Sequence, residues 1–206
     1  MKRIAFVVGL FASALIAGQA QAQSRGTGGY FGAGVMQVYT DSATVFANDL
    51  YLGPVGGSAD STATGFKVYG GYVWPARFGI EVGYYDLGTF DVFSFGAKTD
   101  EFNTTALGFS GTYSLPINPS VDVQFKLGFA YTDVDYRCFS FCGWPNVNTS
   151  HTDIAALMGV GLDWRIASNF SVRADWEYFG GVVHVVGDSY GEFGYSAVSI
   201  AGQFHF

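Results

Sequence analysis

The segment from Val121 to Tyr131 alternates strictly between large apolar and smaller or polar side chains. Every odd position is large and apolar, while the even positions hold Asp122, Gln124, Lys126, Gly128 and Ala130. A period of two is typical of a β-strand with two chemically different faces. The pattern predicts a strand whose apolar face contacts lipid and whose other face lines a narrow polar interior.

The same alternation recurs in seven further segments. They cover residues 29–40, 66–74, 78–84, 105–113, 154–164, 170–178 and 198–206. Six of these seven segments have 9 to 12 residues, which is enough to cross the hydrocarbon layer of a membrane as a tilted strand. Because lipid cannot satisfy the hydrogen-bonding groups of an open sheet edge, the first and last strands should pair. We therefore expect an all-β fold, an eight-stranded antiparallel transmembrane β-barrel with short periplasmic turns and longer extracellular loops.

The connections between these segments alternate in length. Short links are expected at residues 75–77, 114–119 and 165–169, and long loops at about 41–61, 91–101, 132–152 and 180–192. Aromatic residues near both strand ends resemble the two interfacial girdles of membrane barrels. The girdle expected on the loop side consists of Tyr39, Phe102, Tyr131, Trp176 and Tyr178. In the first strand, the pattern leaves open whether Phe31 and Val35 or Tyr30 and Met36 face outward.

The N-terminus has the features of a secretory signal peptide. Lys2 and Arg3 precede an apolar run, and Ala20-Gln21-Ala22 forms a small-residue cleavage site. The expected organisation is a cleaved signal peptide at residues 1–22 and a barrel domain at residues 23–206. Beyond the signal, no stretch of about 18 consecutive apolar residues occurs, which argues against membrane-spanning helices.

The overall composition narrows the possible functions. The net charge is −7, and removal of Lys2 and Arg3 leaves eight basic residues against 17 acidic ones, a net charge of −9. Nucleic acid is therefore an unexpected partner. Aromatic residues make up 18% of the chain and charged residues only 13%. The alternative fold is a secreted soluble sandwich or lipocalin-like barrel, but its polar strand faces should then be richer in solvated side chains.

Charges of both signs fall on the predicted inner faces of the strands. These residues are Lys67, Glu81, Asp122, Lys126, Asp163, Arg173, Asp175 and Glu177. Unpaired charges inside a small barrel would be costly, so we expect them to pair as a plug of salt bridges with trapped water. A narrow pore for ions or small solutes is the alternative that the sequence leaves open.

The only two cysteines, Cys138 and Cys142, are four residues apart in a predicted outer loop. Export to an oxidising compartment favours a disulfide between them. A two-thiolate metal site is the alternative, but no further ligand has the spacing of a structural zinc motif. No metal and no cofactor is expected.

The last residues, Ser199 to Phe206, resemble the C-terminal signal by which the outer-membrane assembly machinery recognises its substrates. Phe204 and Phe206 match its hydrophobic places and Ser199 its polar place, whereas Ala201 occupies the glycine position and Gly202 follows it. With the early strand around Gly29–Val35, the mature chain is similar to the OmpA-like and opacity-type small outer-membrane barrels. The resemblance implies a bacterial outer-membrane location and recognition by the assembly machinery.

The same resemblance implies contact with outer-membrane lipid and lipopolysaccharide. We expect a monomer that acts in membrane integrity or adhesion, with a possible host or surface ligand at its acidic and aromatic loops. The small barrel that deacylates lipid A carries a His-x-Ser pair, which none of His151, His184 and His205 reproduces here. Ser150, His151 and Asp153 are the residue types of a hydrolase, but contiguous strand residues alternate faces and cannot converge. No enzymatic activity is expected.

Overall fold

The computed structural model describes residues 27–40, 57–94, 97–139, 148–186 and 189–206. The predicted signal peptide and Cys142 lie outside these residues. The described strands, in chain order, are β1 (Gly28–Thr40), β2 (Gly57–Ala59), β3 (Thr62–Val73), β4 (Phe78–Ser94), β5 (Ala97–Asn118), β6 (Val121–Cys138), β7 (Asn148–Ala167), β8 (Phe170–Val186) and β9 (Ser189–His205). No helix in this described part of the chain has the length and apolar character needed to cross a membrane.

Eight of these strands form a closed antiparallel barrel, as predicted. The order around the sheet is β4-β3-β1-β9-β8-β7-β6-β5, and pairing of β4 with β5 closes the ring. Strands β1 and β9 pair from Tyr30–His205 to Thr40–Tyr195, which joins the first and last described strands. The short strand β2 was not predicted; it adds to the loop end of β4.

The alternation of side chains sets which face of each strand lies outside. Phe125, Leu127 and Phe129 of β6 are 45%, 70% and 52% exposed, whereas the intervening Lys126 is buried. In β1, Phe31 and Val35 point outward, and Tyr30 and Met36 are buried. This settles which face of the first strand is the outer one, a point that the sequence left open. The exposed residues form the continuous apolar belt that lipid requires.

Several strands extend well beyond the predicted segments. Strand β5 has 22 residues and β7 has 20, although about 9 to 11 suffice to cross the hydrocarbon layer. Residues 91–101 and 180–192, predicted as long loops, are mostly strand: β4 ends at Ser94 and β5 begins at Ala97, while β8 ends at Val186 and β9 begins at Ser189. These residues belong to strands that are longer than a membrane crossing needs.

The lumen of the barrel is filled in layers. A cluster of buried apolar side chains occupies the loop side, and it includes Leu87, Leu157 and Phe179. Charged residues occupy the middle. A polar vestibule of about 400 Å³ lies at the turn end. Phe102, predicted in the outer aromatic girdle, is instead 6% exposed and belongs to the apolar cluster, because even-numbered residues of β5 face inward there.

Candidate functional site

The middle of the lumen holds six charged side chains from four strands. Lys67 lies on β3, Glu81 on β4 and Lys126 on β6, while Arg173, Asp175 and Glu177 lie on β8. The spacing of two on β8 places its three residues on the same inward face. The side chains of all six residues are at most 3% exposed.

These six residues form a closed ring of alternating charge, which we call the charge ring. Glu81 forms salt bridges with Arg173 and Lys126, with N···O distances of 2.6 Å and 2.5 Å. Glu177 forms salt bridges with Lys126 and Lys67, with N···O distances of 2.5 Å and 2.7 Å. Asp175 closes the ring with Lys67 at 2.5 Å and with the Arg173 Nε at 2.8 Å. Every charge therefore has two opposite neighbours, and the ring as a whole is neutral.

Neutrality and closure explain how six ions remain charged inside the barrel. Transfer of an isolated ion out of water costs several kcal/mol even in a relaxed protein. The two short charge-assisted contacts of each member offset that penalty. The ring has no surplus charge, so loss of any one member leaves an uncompensated charge in the lumen.

Tyrosine side chains complete the hydrogen bonding of the ring. Tyr30 donates to the Glu81 Oε2 at 2.8 Å, and Tyr85 donates to the Glu177 Oε1 at 3.1 Å. The Arg173 guanidinium lies 4.7 Å from the centre of the Tyr69 ring, a cation–π geometry. These tyrosines were not predicted as partners, although Tyr69 and Tyr85 stand at even spacing from Lys67 and Glu81 and therefore share their inner face. The facing of Tyr30 could not be read from the pattern of β1.

Two inward glycines make room for these rings. A Cβ added to Gly32 would lie 2.5 Å from the Tyr69 hydroxyl, and one added to Gly71 would lie 2.5 Å from the Tyr30 hydroxyl. Any larger residue would displace a tyrosine from the ring. These glycines therefore serve packing inside a narrow lumen rather than a turn.

The apolar cluster fills the lumen on the loop side of the charge ring. Leu157 and Phe179 are fully buried, and the Phe179 ring meets Tyr85 edge-on at 5.0 Å between centroids. Tyr85 thus touches both layers, because its hydroxyl bonds to Glu177. Salt bridges thus form among six of the eight inward charges, next to an apolar layer that was not predicted.

Two of the eight predicted inward charges, Asp122 and Asp163, do not join the ring. They pair across β6 and β7 nearer the turn end and line the vestibule. Arg165 bonds one Asp122 oxygen at 3.1 Å, and the Gln203 amide nitrogen donates to the Asp163 Oδ2 at 2.9 Å. Arg165 had been placed in a turn, so its role was missed; β7 in fact continues to Ala167. The single network that was predicted is therefore wrong: the eight charges divide into the charge ring and a second layer in the vestibule.

The vestibule also contains a serine–histidine contact. The Ser171 Oγ lies 2.9 Å from the His205 Nε2. Ser171 is completely buried, and among the described residues no carboxylate is hydrogen-bonded to His205. The predicted Ser150, His151 and Asp153 do lie in β7, where neighbours face opposite sides of the strand. Neither group forms the nucleophile, base and orienting acid of a hydrolase.

The remaining predicted residues fall at the two ends of the barrel. Phe204 faces lipid against Phe31 at 5.6 Å between ring centroids, and the Phe206 backbone bonds to Gly29. Ser199, the polar place of the assembly signal, is buried inside the barrel. At the loop end, Cys138 is buried and its predicted partner Cys142 lies outside the described residues, so the disulfide stays a prediction.

The outer face at the loop end carries a small group that we call the rim patch, formed by Lys98, Arg137 and Phe139. Lys98 Nζ lies 5.5 Å from the centre of the Phe139 ring. Hydrogen bonds to Asp91 and Glu101 raise the pKa of Lys98 above its ordinary value, so it stays charged. Arg137 and Phe139 are 60% and 54% exposed. Sequence reasoning had located the aromatic loop but not its cationic neighbours.

Comparison with known proteins agrees with this architecture. Residues 26–198 match the family described as OmpA-like transmembrane domain. Among solved structures, Neisserial surface protein A has 15% identity and a TM-score of 0.59, with coverage of 87% of this chain and 98% of that protein. Outer membrane protein OprG from Pseudomonas aeruginosa has 12% identity and a TM-score of 0.58, with coverage of 90% and 99%.

A third similar structure is Ail, the attachment invasion locus protein of Yersinia pestis. It has 15% identity and a TM-score of 0.54, with coverage of 87% of this chain and 99% of that protein. At such low identity these likenesses concern the fold. No match is found among curated proteins.

Proposed function

Because this chain belongs to the family of OmpA-like transmembrane domains and lies in the bacterial outer membrane, we propose that it is a closed scaffold that carries a surface-interaction region. The observation that supports this role most directly is the sealed lumen. The charge ring fills the middle, and the apolar cluster fills the loop side. A barrel with a filled interior offers its outer end, rather than a channel, for function.

The loop end is well suited to present a binding surface. Strands β4 to β9 continue past the lipid belt, so the rim patch is held on paired strands rather than on connecting loops alone. The Phe139 backbone nitrogen donates to the Thr99 carbonyl at 2.7 Å, which fixes its position. An exposed aromatic ring beside an arginine is a combination enriched at protein interfaces.

The similar proteins are consistent with such a role. The name of Ail refers to attachment and invasion, and that of Neisserial surface protein A to the cell surface. For the present chain, the proposed partners are a host or surface ligand at the rim, outer-membrane lipid and lipopolysaccharide around the belt, and the assembly machinery during insertion.

Replacement of Phe139 and Arg137 together by alanine is expected to reduce attachment severalfold. The test compares bacteria that display the full chain and counts those bound to cultured epithelial cells. The control is Thr152→Ala on the neighbouring strand β7. Thr152 is an exposed residue towards the same loop end of the barrel, and its replacement should leave attachment unchanged. Equal attachment of all three strains, at equal surface amounts of folded barrel, would contradict an adhesive role for the rim patch.

A narrow channel is the second candidate function. The vestibule of about 400 Å³ enters the lumen from the turn end and reaches Tyr30, which bonds to the charge ring. Conduction would require both the ring and the apolar cluster to move aside. For this reason the scaffold is preferred.

A further inference from the structure

The vestibule at the turn end contains more hydrogen-bond acceptors than the protein satisfies. Gln124 is 7% exposed, and its Oε1 has no partner among the described residues. The Asp163 Oδ1 is likewise buried without a partner in that part of the chain. Both residues line the vestibule together with Asp122. A buried acceptor without a donor costs about 1–3 kcal/mol, so these oxygens are suited to a donor that comes from outside.

The three residues lie close together on adjoining strands. Asp122 and Asp163 are directly paired across β6 and β7. Gln124 follows Asp122 by two residues and therefore shares its inward face. Arg165 bonds one oxygen of Asp122, and Gln203 bonds one oxygen of Asp163. The charged lining thus consists of two carboxylates and one guanidinium.

His205 does not supply the missing positive charge. Its Nε2 lies 3.3 Å from the Gln203 amide nitrogen, which can only donate. The orientation of Gln203 is set by its oxygen, which accepts from Arg173 at 3.4 Å. With Gln203 in this orientation the His205 Nε2 accepts, which favours the neutral imidazole.

Arg165 pairs with Asp122, and Arg77 lines an adjoining pocket together with Asp122. Asp163, by contrast, has no ion pair among the described residues and one oxygen without a donor, so its carboxylate favours a cation.

We propose that the vestibule binds the primary ammonium group of a small aliphatic amine, held by Asp122, Asp163 and Gln124. An alkylammonium has three N–H donors, which match one oxygen from each of these residues. A volume of about 400 Å³ also accommodates the carbon chain of such an amine. No group of three or more His, Cys, Asp or Glu side chains in the described residues is arranged to hold a metal ion. The amine enters from the periplasmic end and stops below the charge ring.

The test is calorimetric titration of the full barrel, extracted folded from outer membranes in mild detergent. The probe is 1,4-diaminobutane, and butane-1,4-diol is the uncharged control of equal length. We expect saturable binding of the diamine alone. Asp163→Asn should weaken it at least tenfold, while Asp135→Asn, an exposed carboxylate on the outer face of β6, should leave it unchanged.

A heat-dependent gel shift confirms that each variant is folded, and Gln124→Met serves as a second variant in case Asp163→Asn does not fold. Absence of diamine binding, or undiminished binding by a folded variant, would overturn the proposal. Titration with MgCl₂ distinguishes an inorganic site: if magnesium binds and the diamine does not displace it, the ammonium assignment is wrong. Displacement of any bound magnesium by the diamine supports it.

Discussion

Glu177→Gln is expected to lower the free energy of unfolding by about 3–5 kcal/mol, the usual cost of removing one partner from a buried ion pair. Glu177 accepts from both Lys67 and Lys126 and from the Tyr85 hydroxyl. The glutamine keeps the shape but not the charge, so the ring acquires an uncompensated positive charge. Reversible urea unfolding in lipid vesicles measures the change.

The same glutamate-to-glutamine substitution at a partly exposed position, Glu101, provides the control for this prediction. Glu101 pairs with Lys98 at 2.7 Å on the outer face, where the lysine side chain is 36% exposed. Glu101→Gln should cost less than about 1 kcal/mol, as is usual for surface ion pairs. The double variant Glu177→Gln/Lys67→Met restores the neutrality of the ring. Its loss in free energy of unfolding should be smaller than the sum of the losses of the two single variants. Equal losses at Glu177 and Glu101 would show that the ring is not the buried network described here.

Leu157→Ala is expected to lower the free energy of unfolding by about 2–5 kcal/mol, because it leaves a cavity in a close-packed layer. Leu157 is fully buried in the apolar cluster, and its Cδ2 lies 2.8 Å from the position that a Cβ on Gly108 would take. The same unfolding experiment measures this change.

A second variant at the same site isolates the effect of the cavity. Leu157→Met conserves volume and polarity, so it should cost less than about 1.5 kcal/mol. If alanine and methionine cost the same, the loop side of the lumen is loosely filled and does not seal the barrel.

Much of the fold follows from the alternation of side chains. The period of two in Val121–Tyr131 and its counterparts identified the outward and inward faces, since a strand has only these two. The same alternation predicts that Lys67, Glu81 and Lys126 face the inside of the barrel. It could not show which charges touch, because contacts across the lumen depend on the tilt and stagger of strands that are distant in sequence.

Other features depended on where the strands end. Asp86 and Asp133 face outward beyond the lipid belt, and polar outward residues of this kind are common to loops and to strands in water. The predicted strands therefore end early, and Phe102, which precedes the predicted segment 105–113, was assigned to the outer girdle although it lies within β5. Asp122 and Asp163 were assigned to one network with the ring because parity says nothing about depth along the barrel axis.

Single-channel conductance of the folded full barrel in planar bilayers tests the claim that the lumen is sealed. We expect no conductance steps for the unmodified protein after the heat-dependent gel shift has confirmed folding. Glu177→Gln alone should stay silent as well, since the apolar cluster still closes the loop side. Reproducible conductance of the unmodified barrel that changes when Lys126 is replaced by methionine would contradict the claim and make transport the leading function.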